Sequence, residues 1–226
     1  MIPKEAFASP HFNLSVSSGD TPADYVDSIK ILIFFTMLTL LPSFIIMFTS
    51  FTRITVVFSL LKNAIGAQQS IPSQILVGLA IFLTIFIMQP VYTEINEVAL
   101  KPYSNEEITF EQALENASNP IKDFMLKETR QKDLELFVDA AKLNSGELTR
   151  TNIPLYSIVP AFAISELKTA FQIGFLLFVP FMVIDMIVAS VLMSMGMMML
   201  PPTVISLAFK LLLFVMVDGW NLIVKS

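Results

Sequence analysis

The sequence contains no cysteine and a single histidine, His11. The first absence excludes disulfides, thiol nucleophiles and thiolate-held metals. The second removes the commonest remaining ligand, because His11 lies in a polar tail with no cluster of partners around it. No cofactor or metal site is expected. Charge is scarce as well: 15% of residues are Asp, Glu, Lys or Arg, against about 25% in a soluble domain. Apolar side chains take their place, at 54% of the chain, so the sequence reads as an integral membrane protein. Residues 1–28 have neither the basic start nor the apolar run of a secretory signal; either a signal was removed or the first helix inserts unaided. A catalytic triad, a phosphate loop and metal-ligand spacings are all missing. An intramembrane hydrolase would have no nucleophile–base pair, and no enzyme is expected.

The charge that remains is localised. Residues 91–157 carry twelve acidic and seven basic side chains, a balance of −5 that equals the net charge of the whole chain. An acidic soluble segment excludes nucleic acid as a partner, which calls for a basic surface. Four blocks follow: a polar tail (1–28), a first helical hairpin (29–92), an acidic helical insertion (93–155) and a second helical hairpin (156–226). The expected fold is all-α, built of long kinked apolar hairpins with a helical soluble insertion between them.

A helix start is expected near Asp27 and Ser28. In the apolar stretch that follows, Thr36, Thr39, Ser43, Ser50 and Arg53 fall at helical spacing on one face, and Pro42 is expected to bend the helix. Small hydroxylated residues on an apolar helix pack against another helix or line a wet pathway. Gly66 can close this helix and Pro72 can open the next. The apolar run 75–88 then stops at Pro90, which makes it short for a membrane span. In the insertion, residues 110–142 read as amphipathic helix broken at Asn119-Pro120, with Phe124, Leu134, Phe137, Val138 and Ala141 on the apolar face. Arg53 and Lys62 place the 62–74 turn on the inner side. If all four segments cross, both termini and the insertion lie outside.

The stretch from Phe171 to Leu200 holds one charge, Asp185, and then ends abruptly in Gly196, Met197, Met198, Met199, Leu200, Pro201 and Pro202. Glycine can end a helix in the left-handed conformation, and proline forces the residue before it into extended geometry. The methionines therefore sit on a turn between two apolar helices. They are either packing or, ringed about a symmetry axis, a flexible apolar constriction that excludes water and ions. Gly66 and Gly196 each precede a proline by six residues, a hint of a duplicated hairpin. Six charges lie in or beside the apolar helices: Arg53, Glu166, Lys168, Asp185, Lys210 and Asp218. An unpaired charge at a bilayer centre costs at least about 2.5–3.5 kcal/mol, so these are candidates for buried ion pairs; the functional alternative is an ion-coupled secondary transporter.

Residues 41–58 (LPSFIIMFTSFTRITVVF), 66–84 (GAQQSIPSQILVGLAIFLT), 160–175 (PAFAISELKTAFQIGF) and 188–220 (VASVLMSMGMMMLPPTVISLAFKLLLFVMVDGW) carry a resemblance to a known family. The sequence resembles the FliP family of flagellar export-gate proteins, whose counterpart serves virulence type III secretion. Residues 110–137 resemble the family's exported-side domain and favour the flagellar branch. The resemblance implies a homopentamer that joins FliQ and FliR, with FlhB and FlhA nearby, in the bacterial inner membrane at the flagellar basal body. It implies helices held largely above the membrane plane. It also implies a methionine gasket at Met197, Met198 and Met199, in a pore that opens for unfolded flagellar proteins and is powered by other components. Family members usually carry proline where this chain has Ala208, which puts a kink of the last helix in question, and many have a cleavable signal.

Overall fold

The computed structural model describes residues 22–68, 70–143, 152–197 and 200–226. Every regular element among them is helical. The chain divides into two compact units, residues 1–44 and 45–226.

Within the first unit runs most of helix α1 (Pro22–Phe48), which starts five residues earlier than the Asp27–Ser28 signal suggested and continues through Pro42. Its apolar stretch Ile29–Phe48 has none of its residues buried. Thr36 and Thr39 donate their hydroxyls to Leu32 O (2.7 Å) and Thr36 O (2.8 Å) of the same helix. These two positions thus need neither a packing partner nor water.

The last residues of α1 belong to the second unit, and the helix ends there at a break that glycine and proline do not mark. Thr49 Oγ1 donates to Ile45 O at 2.6 Å and Thr52 Oγ1 to Ile46 O at 2.9 Å, so two hydroxyls serve carbonyls that the end of a helix leaves open. The polar stripe expected along one helix is therefore interrupted at Thr49–Ser50. Helix α2 (Phe51–Ile65) follows and ends at Gly66, φ +83°. Helix α3 (Ser73–Ile95) starts after Pro72 and passes straight through Pro90. It continues as a π turn (Asn96–Leu100) and helix α4 (Lys101–Ser104), so the apolar helix spans residues 73–104 rather than stopping at 88. One proline removes one hydrogen bond, and a helix packed on both sides of it absorbs that loss.

Helix α5 (Phe110–Glu128) opens on a capping box: Thr109 Oγ1 accepts from the Gln112 N–H while Gln112 Oε1 accepts from the Thr109 N–H. It also runs through its proline, Pro120, which is buried; the break expected at Asn119-Pro120 comes instead at Thr129–Arg130, before α6 (Gln131–Ala140). Beyond Pro120, Ile121, Phe124 and Met125 are seated with Ile158 and Phe162, and this packing holds the helix together. Helix α7 (Leu155–Ser194) is 40 residues long and contains Pro160 and Pro180. Helix α8 (Pro202–Met216) runs unbroken through Ala208, and a 61° bend separates it from α9 (Gly219–Lys225).

Helix α7 is the hub of this unit: α2, α5, α6 and α8 all pack on it, and α3 packs on α2. One core joins Leu61, Ala64 and Ile65 of α2 to Phe181 of α7 and Phe214 of α8, and a second joins Phe58 to Leu76 and Ala80 of α3. The α2–α7 seam is close enough that a Cβ on Gly174 would overlap the Leu60 side chain. Among the described residues three helical stretches are long and apolar enough to cross a membrane, and the bent α8–α9 pair is either a broken fourth span or a re-entrant loop. The protein is an all-α membrane protein.

Candidate functional site: a methionine turn and two charged knots

Helix α7 closes through Met195 and Gly196, the latter at φ +73°. The Gly196 N–H donates to Met193 O and the Met197 N–H to Leu192 O, both at 3.1 Å. This is a Schellman closure, which satisfies two of the carbonyls a helix end leaves open. The end of α2 is closed in the same way, with Gly66 N–H to Asn63 O at 3.1 Å and Ala67 N–H to Lys62 O at 3.2 Å. Each link then re-enters helix through an extended proline: Pro72 at ψ 131° and Pro201 at ψ 118°. The two glycines named in the sequence both close a helix in this way, but the extended proline lies six residues after Gly66 and five after Gly196, at Pro201 and not Pro202. A Cβ on Gly196 would meet nothing within 4 Å, so glycine is needed there for its conformation and not for space. Met193, Met195 and Met197 are exposed, as is Leu200. Met198 and Met199 lie outside the described residues. Beside the turn, α7 and α8 leave a wholly apolar groove of about 430 Å³ lined by Ile187, Val191, Ile205 and Phe209 among others.

The first charged knot sits where α2 ends. Lys210 Nζ on α8 donates to Asp185 Oδ2 on α7 at 2.5 Å and to Ala64 O on α2 at 3.0 Å. Ser206 donates to the other carboxylate oxygen, Oδ1, at 2.6 Å. The Schellman closure at Gly66 serves the carbonyls of Lys62 and Asn63 but leaves that of Ala64, and the ammonium takes it. A cation at a helix C-terminus also suits the negative end of the helix dipole. One side chain, buried to all but 7% of its surface, ties three helices together.

The second knot sits under the insertion. Arg53 on α2 reaches Glu128 Oε2 at the end of α5 (3.0 Å) and lies 3.1 Å from Glu166 Oε2 on α7, which is 1% exposed. The contact with Glu166 is an ion pair without an aligned hydrogen bond. One residue before it, Ser165 accepts the Arg130 N–H at 3.1 Å and donates to Asp133 Oδ2 at 2.7 Å. Arg130 is the residue just before α6 and Asp133 is the helix's third residue, so Ser165 relays a capping bond that a single helix usually makes within itself. The Arg130 side chain then bonds to Gln172 of α7. Ser165 and its neighbours hold the α5–α6 corner onto α7.

Of the six charges singled out in the sequence, Arg53 and Glu166 meet in one knot and Asp185 and Lys210 in the other. Lys168 is exposed on α7 beside a hollow lined by Ile164, Leu167, Phe171 and Phe175, and Asp218 is exposed at the α8–α9 bend with φ +49°. Neither joins an ion pair among the described residues. Sequence reasoning missed Glu128, Ser165 and Ser206; each lies on an element whose neighbour depends on tertiary packing. Among the described residues no group of three or more metal-ligating side chains is brought together.

The model of the FliP family matches residues 34–226 of the chain. The chain belongs to the FliP family. The flagellar biosynthetic protein FliP of Bacillus subtilis is 53% identical over 94% of the chain and 96% of its own length. That of Aquifex aeolicus is 50% identical over 96% of the chain and 90% of its own length, and that of Caulobacter vibrioides 47% identical over 100% and 84%. The match takes in both charged knots, the insertion and the methionine turn.

Proposed function

We propose that this FliP-family chain is a core subunit of the flagellar type III protein export gate, and not an enzyme. Five copies assemble around a shared axis in the bacterial inner membrane at the basal body, together with FliQ and FliR and beside FlhB and FlhA. The 93–155 insertion lies on the exported side. Unfolded flagellar proteins pass along the axis, and Met197, Met198 and Met199 form the gasket that seals it between passages.

The observation that carries this reading is the exposed Gly196 turn. Met197 itself completes the Schellman closure of α7, four residues before the extended Pro201 that opens α8. Methionine at such a turn is unbranched and polarizable, so a ring of them can close on itself and still yield to side chains of different size. An apolar ring also blocks ions by dewetting. The charged knots favour a scaffold over an ion-coupled carrier, because Asp185 is already neutralised by Lys210 and hydrogen-bonded by Ser206.

Replacing Met197, Met198 and Met199 together by alanine tests the gasket. The expected outcome is a gate that assembles but leaks ions across the cell membrane. Cells that seal and secrete like the parent with the triple variant would end the gasket reading. Because the chain has no cysteine, single cysteines at 197, 198 or 199 should also cross-link neighbouring copies.

A further inference from the structure

Pro102 bears on a carbonyl four residues upstream. In an α-helix its missing N–H would leave Val98 O without a donor, and its ring would press on that oxygen. Instead the helix widens over Asn96–Leu100 into a π turn, in which the Lys101 N–H donates to Asn96 O, five residues back. The Val98 carbonyl is met from outside the helix, by Asn116 Nδ2 of α5 at 3.1 Å. Helix α5 lies against the π turn, with Ala99 and Ala113 buried on the two elements. The link from α4 to α5 contains a second departure from ordinary backbone, Glu106 at φ +61°, a conformation that costs a non-glycine residue free energy. A π turn holds one residue more than the α-helical turn it replaces, and such turns concentrate where helices are put to use.

We infer that Asn96–Leu100 is a hinge between the apolar helix Ser73–Ile95 and the α4–α5 part of the insertion, and that Asn116 is its latch. With the latch made, the Val98 carbonyl is satisfied and a side-chain hydrogen bond adds to the packing of α5 on α3 and the π turn. With it broken, the exposed carbonyl is left to water, and the extra residue can slip out of the π turn. That slip turns Lys101–Ser104 by about 100°, one residue's rotation in an α-helix, and the 105–109 link takes up the difference. Pro102 sets the mechanism, because it denies Val98 O the α-helical donor four residues on. The hinge does not depend on the pore: it is a property of residues 96–116 in the single chain.

The test uses the full-length chain purified in detergent, with spin labels on cysteines placed at the exposed positions Glu94 and Glu111, one on each side of the hinge. Asn116→Leu keeps the size of the side chain and removes its donor. It should broaden the distribution of label-to-label distances and speed amide exchange over residues 97–104 by about fivefold, the worth of one hydrogen bond. Pro102→Ala returns a donor to Val98 O, so in that background Asn116→Leu should change neither quantity. The latch is overturned if Asn116→Leu leaves both measurements as they were, or if it acts equally strongly with and without Pro102.

Discussion

The Lys210 ammonium carries its charge where almost no water reaches it, and its acceptors come from two other helices: Asp185 on α7 and the Ala64 carbonyl on α2. Removing one member of a fully buried pair costs about 3–5 kcal/mol because the other charge stays behind, and Asp185, at 33% exposed, is partly relieved by water. Lys210→Met should therefore lower the melting temperature of the detergent-purified chain, by less than a fully buried pair would. Adding Asp185→Asn to it should recover part of the loss, because no charge is then stranded. A double variant that melts below the single one would mean that the pair is not the source of the effect. The sequence made both residues suspect, since a charge in an apolar helix needs a partner. It could not say which partner, because that depends on the register of α7 against α8. The Ala64 carbonyl was further out of reach: it is left open only because the Schellman closure at Gly66 takes the two carbonyls before it.

At the scale of elements, glycine and proline were unequal guides. Gly66 and Gly196 were legible because a left-handed closure is a local event that glycine permits whatever surrounds it. We expect Gly196→Ala to destabilise the chain by about 1–2 kcal/mol, the left-handed penalty for a residue with a Cβ, and Gly196→Asn to cost less, because asparagine tolerates that conformation. Empty space around Gly196 excludes a steric contribution, so thermal melts of the two variants isolate the backbone effect. Equal losses from alanine and asparagine would contradict it. Proline misled twice as a stop signal. At Pro90 and Pro120 the helix continues, because the packing on either side outweighs one missing hydrogen bond. The real breaks, at Thr49–Ser50 and Thr129–Arg130, are marked by hydroxyls instead. Thr49, Thr52 and Thr129 each donate to a carbonyl four to six residues back, a pattern that also occurs in unbroken helices such as that around Thr36. Nothing in the sequence separates the two cases.

At the scale of the molecule, the insertion and the apolar helices are joined through Arg53, which sits on α2 and answers to Glu128 on α5 and Glu166 on α7. Glu166 lies 1% exposed, so Arg53→Met would strand a carboxylate where water cannot solvate it. Glu128 is more open, at 28%, and loses less. The two knots lie on the same pair of helices, α2 and α7, but hold different partners to them: Arg53 fastens α5, and Lys210 fastens α8. Stability is therefore expected to fail in parts. In amide exchange of the purified chain, Arg53→Met should open residues 120–140 while leaving the α2–α3 seam around Phe58 and Ala80 protected. Lys210→Met should open α8 and spare the insertion. Adding Glu166→Leu to Arg53→Met removes the stranded charge and should restore much of the protection over 120–140, since a well-packed apolar group in place of a buried ion pair is often neutral. Loss of protection spread evenly over α2, α5 and α8 in either single variant would mean that the knots are not separate fastenings but parts of one cooperative core.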